Sequence, residues 1–102
     1  MQLITSADFQ NKLTYTGLTV VDFYADWCAP CRALTPTLEK LSDDLDDVQF
    51  LKLNVDESGD VAQKFGVSSI PTLIFFKNGT PVHTLTGLKS YEDLKEEIAK
   101  YA

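Results

Sequence analysis

The sequence predicts an α/β fold, a mixed central sheet of about five strands flanked by four helices. Three observations carry this. Short runs rich in β-branched and aromatic residues alternate along the chain with stretches of helical apolar spacing. The early runs are separated by helix-length segments, and strands joined by such crossovers pair in parallel. Further on, Asn78-Gly79 stands between two apolar runs. That dipeptide suits a type I′ hairpin turn, which forces one antiparallel pair. A mixed sheet of this kind carries helices on both faces.

A weak strand near residues 2–4 opens the chain. Thr5 and Ser6 can cap a short helix in which Phe9 and Leu13 lie four apart. Thr19 to Tyr24 has the composition of a buried strand. Leu34, Leu38, Leu41 and Leu45 then form one stripe of an amphipathic helix. Pro30 suits the first turn of that helix, where its missing N–H has no partner to lose. Pro36 lies inside the stripe and is predicted to kink it, since it cannot donate to the Arg32 carbonyl.

Val48 to Asn54 reads as a second strong strand, and Val61 with Phe65 as a short helix closed by Gly66. Thr72 to Phe76 is a strand whose return, near Val82 to Leu85, begins with Pro81 and so belongs at a sheet edge. Ser90 and Asp93 have capping-box spacing, and Tyr91, Leu94, Ile98 and Tyr101 give the last helix its inward face.

With 102 residues, the expected organisation is one domain over 1–102, and nothing in the chain demands more than a monomer. The net charge of −6 repels phosphate backbones and anionic lipid, which argues against nucleic acid or a membrane surface as partner. The acidic run Asp43, Asp44, Asp46 and Asp47 reads as a solvated helix end and loop rather than a cation site. The first residues lack a basic segment followed by an apolar one, so no secretory signal is expected, and no apolar run approaches a membrane span. The expected compartment is the reducing cytoplasm.

There the only two cysteines, Cys28 and Cys31, acquire meaning. In a reducing compartment a CxxC pair is catalytic or metal-binding more often than structural. As a staple it closes a four-residue loop, worth roughly 2 kcal/mol against about 4.7 for a hundred-residue loop. As half of a zinc site it lacks a second pair, and His83, the one histidine, reads as a surface residue of the hairpin strand. Redox chemistry needs only the two sulfurs. If a helix starts near Cys28, its thiolate meets unpaired N–H groups and the positive end of the helix dipole, while Cys31 lies one turn further in. The outer sulfur is then an acidic attacker and the inner one a resolver.

The segment Val21-Asp22-Phe23-Tyr24-Ala25-Asp26-Trp27-Cys28-Ala29-Pro30-Cys31 resembles the active-site segment of the thioredoxin family. Lys52-Leu53-Asn54-Val55-Asp56, Gly66-Val67-Ser68-Ser69-Ile70-Pro71-Thr72, Phe75-Phe76-Lys77-Asn78-Gly79 and Gly87 extend the likeness along the whole chain, in order. The resemblance implies a thioredoxin fold and a general protein-disulfide reductase. Cys28 is then the nucleophile, Cys31 the resolving thiol, Asp22 the buried acid that assists proton transfer and Lys52 the lysine near it. Trp27, Ala29, Pro30, Ile70, Pro71 and Gly87 would form the docking surface, with a cis bond at Ile70-Pro71.

The same resemblance implies no bound cofactor. By that resemblance electrons would come from a separate thioredoxin reductase, most often one using NADPH, and pass to disulfide-containing client proteins. Ala29 stands where the common motif has glycine, which bears on redox potential and partner preference. The lack of a histidine between the cysteines leans away from the more oxidising relatives of the fold. Two other readings stay open: a disulfide oxidase or isomerase, and a binding module that uses the same apolar patch without redox chemistry.

Overall fold

A computed structural model describes residues 1–102. In chain order the elements are β1 (Gln2–Ile4), α1 (Ser6–Lys12), β2 (Leu18–Tyr24), α2 (Ala29–Asp44), β3 (Val48–Asn54), α3 (Gly59–Lys64), β4 (Thr72–Lys77), β5 (Thr80–Thr86) and α4 (Tyr91–Tyr101). The strands form one sheet in the order β1-β3-β2-β4-β5. β3 runs parallel to both β1 and β2. β4 is antiparallel to β2 as well as to β5, one antiparallel pair more than the hairpin alone requires. The reason lies in where the chain re-enters the sheet: Thr72 starts β4 opposite Phe23, near the finish of β2, so β4 runs back along it.

β2 is apolar on both sides because both its sides are covered. Leu18 and Val20 join Phe50, Leu73 and Phe75 against Leu34, Leu38 and Leu41 of α2 and Leu94 and Ile98 of α4. Val21 and Phe23 join Leu51, Leu53, Ile74 and Phe76 against Phe9, Leu13, Val61 and Ala62, under α1 and α3. Phe9, Phe65 and Phe76 meet there with ring centroids 5.3–5.7 Å apart, two of the three contacts edge-on. Such pairs add about 0.5–1.5 kcal/mol each beyond the area they bury.

α2 is a single helix through Pro36, and Leu45 caps its end. Thr5 occupies the N-cap position of α1 without capping by its side chain. Its hydroxyl reaches Asp8 instead, while Ser6 uses its backbone N–H on the Ser58 hydroxyl and its own hydroxyl on Asp60, tying α1 to α3. Asn78 and Gly79 turn the hairpin with φ values of +52° and +79°, as a type I′ turn needs. β5 is an edge strand and carries a bulge: Phe75 pairs with His83 but Phe76 with Pro81, leaving Val82 over.

His83 differs from its expected surface position. Its ring stacks on Tyr101 at 4.9 Å and meets the edge of Phe75 at 5.5 Å, because this position of β5 faces α4. Its Nε2 lies 2.9 Å from Glu97 Oε2, an ion-pair distance without hydrogen-bond alignment. In the acidic run, Asp44 takes Lys40 at 3.1 Å and the Tyr91 hydroxyl at 2.5 Å, joining α2 to α4.

Ser90 caps α4 as its spacing predicts, its Oγ accepting from the Asp93 N–H at 3.1 Å. Ser90→Ala is expected to lower unfolding stability by about 1 kcal/mol, read by denaturant titration. An unchanged midpoint would show that the cap contributes nothing.

Candidate active site

The site is built where β2 hands over to α2. Cys28 is the N-cap of α2, in extended conformation, and its Sγ accepts the Cys31 N–H at 3.2 Å. Ala29 and Pro30 fill the first helical positions, so the missing N–H of Pro30 falls where no carbonyl precedes it. The first turn contains no acidic residue to cancel the positive end of the helix. Arg32 instead folds back to the Asp26 carbonyl at 2.8 Å.

The two sulfurs are joined as a disulfide, with Cα atoms 5.2 Å apart. The expected contrast between an outer and an inner cysteine is modest in exposure, 5 % for Cys28 and 2 % for Cys31. It is large in position, since Cys28 stands before the first helical turn and Cys31 inside it. Ala25 and the cysteines form a small apolar cluster, with Tyr24, Val55 and Ile70 packed against it.

Asp22 lies on the sheet face that α2 covers, in step with Leu18 and Val20, and is 2 % exposed. Its Oδ1 has no hydrogen-bond partner. Burial pushes its carboxyl up to about 7, against the opposing pull of Lys52. Lys52 is the register partner of Asp22 on β3, but the two charges make no contact ion pair. The lysine ammonium stands over the Tyr24 ring, 5.5 Å from its centroid.

Trp27 is 69 % exposed, and its Nε1 donates to Asp56 Oδ2 at 2.8 Å. Asp56 is fixed in turn by its own N–H, bonded to Asn54 Oδ1 at 2.8 Å. Ala29 and Pro30 are exposed on the helix's first turn. The Ile70-Pro71 bond is cis, with Ile70 half-buried beside the cysteines and Pro71 buried. Neither backbone group of Ile70 takes part in the turn and loop hydrogen bonds of the chain. Gly87 donates to the Pro71 carbonyl at 2.9 Å with a φ of +93°, a conformation that a β-carbon disfavours even though the space beside it is open.

The structure thus brings Cys28, Cys31 and Ile70 into one cluster and ties Gly87 to its neighbour Pro71. Asp22 and Lys52 sit side by side on adjacent strands. Sequence reasoning passed over Tyr24, Asn54 and Asp56. Strand alternation carried a signal for the first two, since Tyr24 and Asn54 follow Asp22 and Lys52 by two residues and share their face.

The thioredoxin family model matches residues 1–100. The chain belongs to the thioredoxin family. It is 46 % identical over 101 residues to the thioredoxin of Chlamydia muridarum, covering 99 % of this chain and 98 % of that one. With Thioredoxin-1 of Saccharomyces cerevisiae the identity is 48 % over 101 residues, 99 % and 97 % of the two chains. The solved thioredoxin of Fasciola hepatica superposes with a TM-score of 0.93 at 34 % identity, over the full length of both. That of Plasmodium falciparum gives 0.92 at 37 %, again over both whole chains. As a thioredoxin the protein is a thiol-disulfide oxidoreductase with Cys28-Cys31 as its redox-active pair. No helix is long and apolar enough to cross a membrane.

Proposed function

We propose that this thioredoxin, acting as one domain and a monomer, is a general protein-disulfide reductase. In the reduced protein the Cys28 thiolate attacks one sulfur of a client disulfide. The client S–S bond breaks, a mixed disulfide forms, and the first client sulfur leaves as a thiolate that takes a proton from solvent. Cys31 then gives its proton to the Asp22 carboxylate and attacks Cys28. The mixed disulfide breaks, the second client sulfur leaves as a thiolate that also takes a proton from solvent, and Cys28-Cys31 closes while Asp22 returns its proton to solvent. The client gains two electrons and two protons.

The observation that carries this reading is the position of Cys28 as N-cap of α2, its sulfur on the Cys31 N–H at a helix start free of acidic side chains. A thiolate is the form which that arrangement favours. Trp27, Ala29, Pro30, Ile70, Pro71 and Gly87 form the client surface. The unengaged backbone of Ile70 pairs with an extended client segment, giving affinity with little side-chain selectivity. Lys52 tunes the proton affinity of Asp22. The disulfide is reopened by a separate thioredoxin reductase, drawing on NADPH, with no cofactor held by this chain. The cycle runs toward reduction only where thiols are kept reduced, which places it in the cytoplasm.

The test is the reduction potential of the Cys28–Cys31 pair against defined thiol buffers. A value near about −270 mV is expected, a figure that belongs to thioredoxin itself rather than to the geometry of this chain. A value between about −180 and −120 mV would overturn the reductase reading in favour of an oxidase or isomerase.

A further inference from the structure

At the C-terminal end of β2 and β3 four polar side chains share one face of the sheet. Asp22 pairs in register with Lys52, and Tyr24 pairs with Asn54 one step further along. The two steps differ in depth: Asp22 is buried, whereas Tyr24 is only partly so and packs on the cysteine cluster. A lysine opposite an aspartate at strand spacing would ordinarily close a contact ion pair. Here the Lys52 ammonium leans toward the Tyr24 ring, 5.5 Å from its centroid, within the range of a cation–π contact. Asp22 Oδ1 is left with no partner.

We propose that Tyr24 is a positioning residue for the proton transfer: its ring draws the Lys52 ammonium out of contact with Asp22, so that the carboxylate remains a competent acceptor for the Cys31 proton. An ammonium in contact with Asp22 would stabilise the carboxylate and weaken it as a base. An ammonium far away would leave nothing to offset burial, and the carboxyl would hold its proton too long. The ring keeps the lysine between these limits. The raised proton affinity of Asp22 agrees with this arrangement, burial being its first cause and Lys52 the opposing one.

The other titratable and charged groups at this corner are Asp26 just after β2, Glu57 after β3 and the cysteine pair at the head of α2; β4 offers the apolar Leu73. None of them supplies a second cation to Asp22, so Lys52 is the one whose position matters.

This inference rests on the reading of Asp22 as proton acceptor, and its test separates the two. The Asp22 carboxyl is titrated by carbon-13 NMR in the oxidised protein, a measurement that does not depend on catalysis. Tyr24→Leu is expected to lower the midpoint by about one pH unit or more as Lys52 closes on the carboxylate. Tyr24→Phe keeps a ring and should leave the midpoint in place. In a Lys52→Met background Tyr24→Leu should produce no downward shift. An unmoved midpoint in Tyr24→Leu, or the same drop in the Lys52→Met background, would overturn the proposal. The wild-type protein gives a second check if the leucine variant does not fold. The Lys52 Hε protons should be shifted upfield by the Tyr24 ring and show a nuclear Overhauser contact to it; their absence also rules the proposal out. Failure of Asp22 as acceptor would appear separately, as an Asp22→Asn variant whose rate–pH profile matches that of wild type.

Discussion

Cys31→Ser is expected to stop turnover while leaving the first chemical step intact. Cys28 still attacks the client disulfide, but no second thiol stands beside it to break the mixed disulfide. Covalent protein–client adduct should therefore accumulate toward one per chain, visible by non-reducing electrophoresis and mass spectrometry. An external thiol can replace Cys31 only as a bimolecular reagent at millimolar concentration. Well-oriented intramolecular groups act as though present at about 10⁵ M or more, so steady-state reduction should fall by at least about 10³-fold. Cys28→Ser should lose turnover equally and trap nothing. The assignment of roles would be wrong if Cys28→Ser trapped the adduct and Cys31→Ser did not. It would also be wrong if Cys31→Ser turned over at the wild-type rate.

The second large effect concerns stability. Asp22 has its folded-state carboxyl raised from 3.8 to about 7 by burial. Between these values the folded protein holds a proton that the unfolded chain has released, so stability falls as pH rises through this window. Below about pH 4 both states are protonated and Asp22 has no effect of this kind. Above about pH 7 the full penalty applies, on the order of 4 kcal/mol from the separation of the two values at about 1.36 kcal/mol per unit. Oxidised Asp22→Asn should therefore be more stable than wild type at pH 8, by up to that amount. Near pH 4 the advantage should shrink to the small difference between an amide and a neutral acid. Equal stabilisation at both pH values would show that the carboxylate charge is not its cause. The proposed catalytic role predicts the opposite sign for activity, a slower release of client from the same variant. An acid that weakens the fold yet speeds the reaction is the expected compromise at a working site.

Most of the frame was legible because its signals are local. The leucine stripe of α2, the β-branched runs of β2 and β3, the Asn78-Gly79 turn and the Ser90 cap each depend on neighbours a few residues away. The side-chain cap expected from Thr5 is absent because its hydroxyl turns to the Asp8 carboxylate, while Ser6 is held by Ser58 and Asp60, more than fifty residues distant in sequence. His83 is less exposed than its strand position alone suggests for a similar reason: it is half-covered by Tyr101 and Glu97 of a helix that the hairpin strand cannot announce. At the site, Cys28, Cys31 and Asp22 stood out by residue type against apolar surroundings. Lys52 came through resemblance, and its partner in space, Tyr24, looked like one more aromatic strand residue. Its two-residue spacing from Asp22 sets it on the same face, and the parallel register that sets Tyr24 beside Asn54 and Asp22 beside Lys52 completes its separation from the core aromatics.

The bulge at Pro81 and Val82 has a consequence for how this molecule meets other chains. Under the proposed function the protein would repeatedly encounter extended, partly unfolded segments, which are the material of intermolecular β-aggregates. A sheet with a long flat margin would capture them indiscriminately. Here β5 interrupts its own margin with the extra residue Val82 and with a proline that has no N–H to offer. On the other side β1 presents only three residues. Neither margin is a template along which a guest strand could be zipped, so growth into a cross-β stack is discouraged at both ends. Beside the sulfurs the Ile70 backbone stays out of the turn and loop hydrogen bonds, and under the proposed function a visiting segment would find a short hold there and a disulfide exchange instead of a lasting seam.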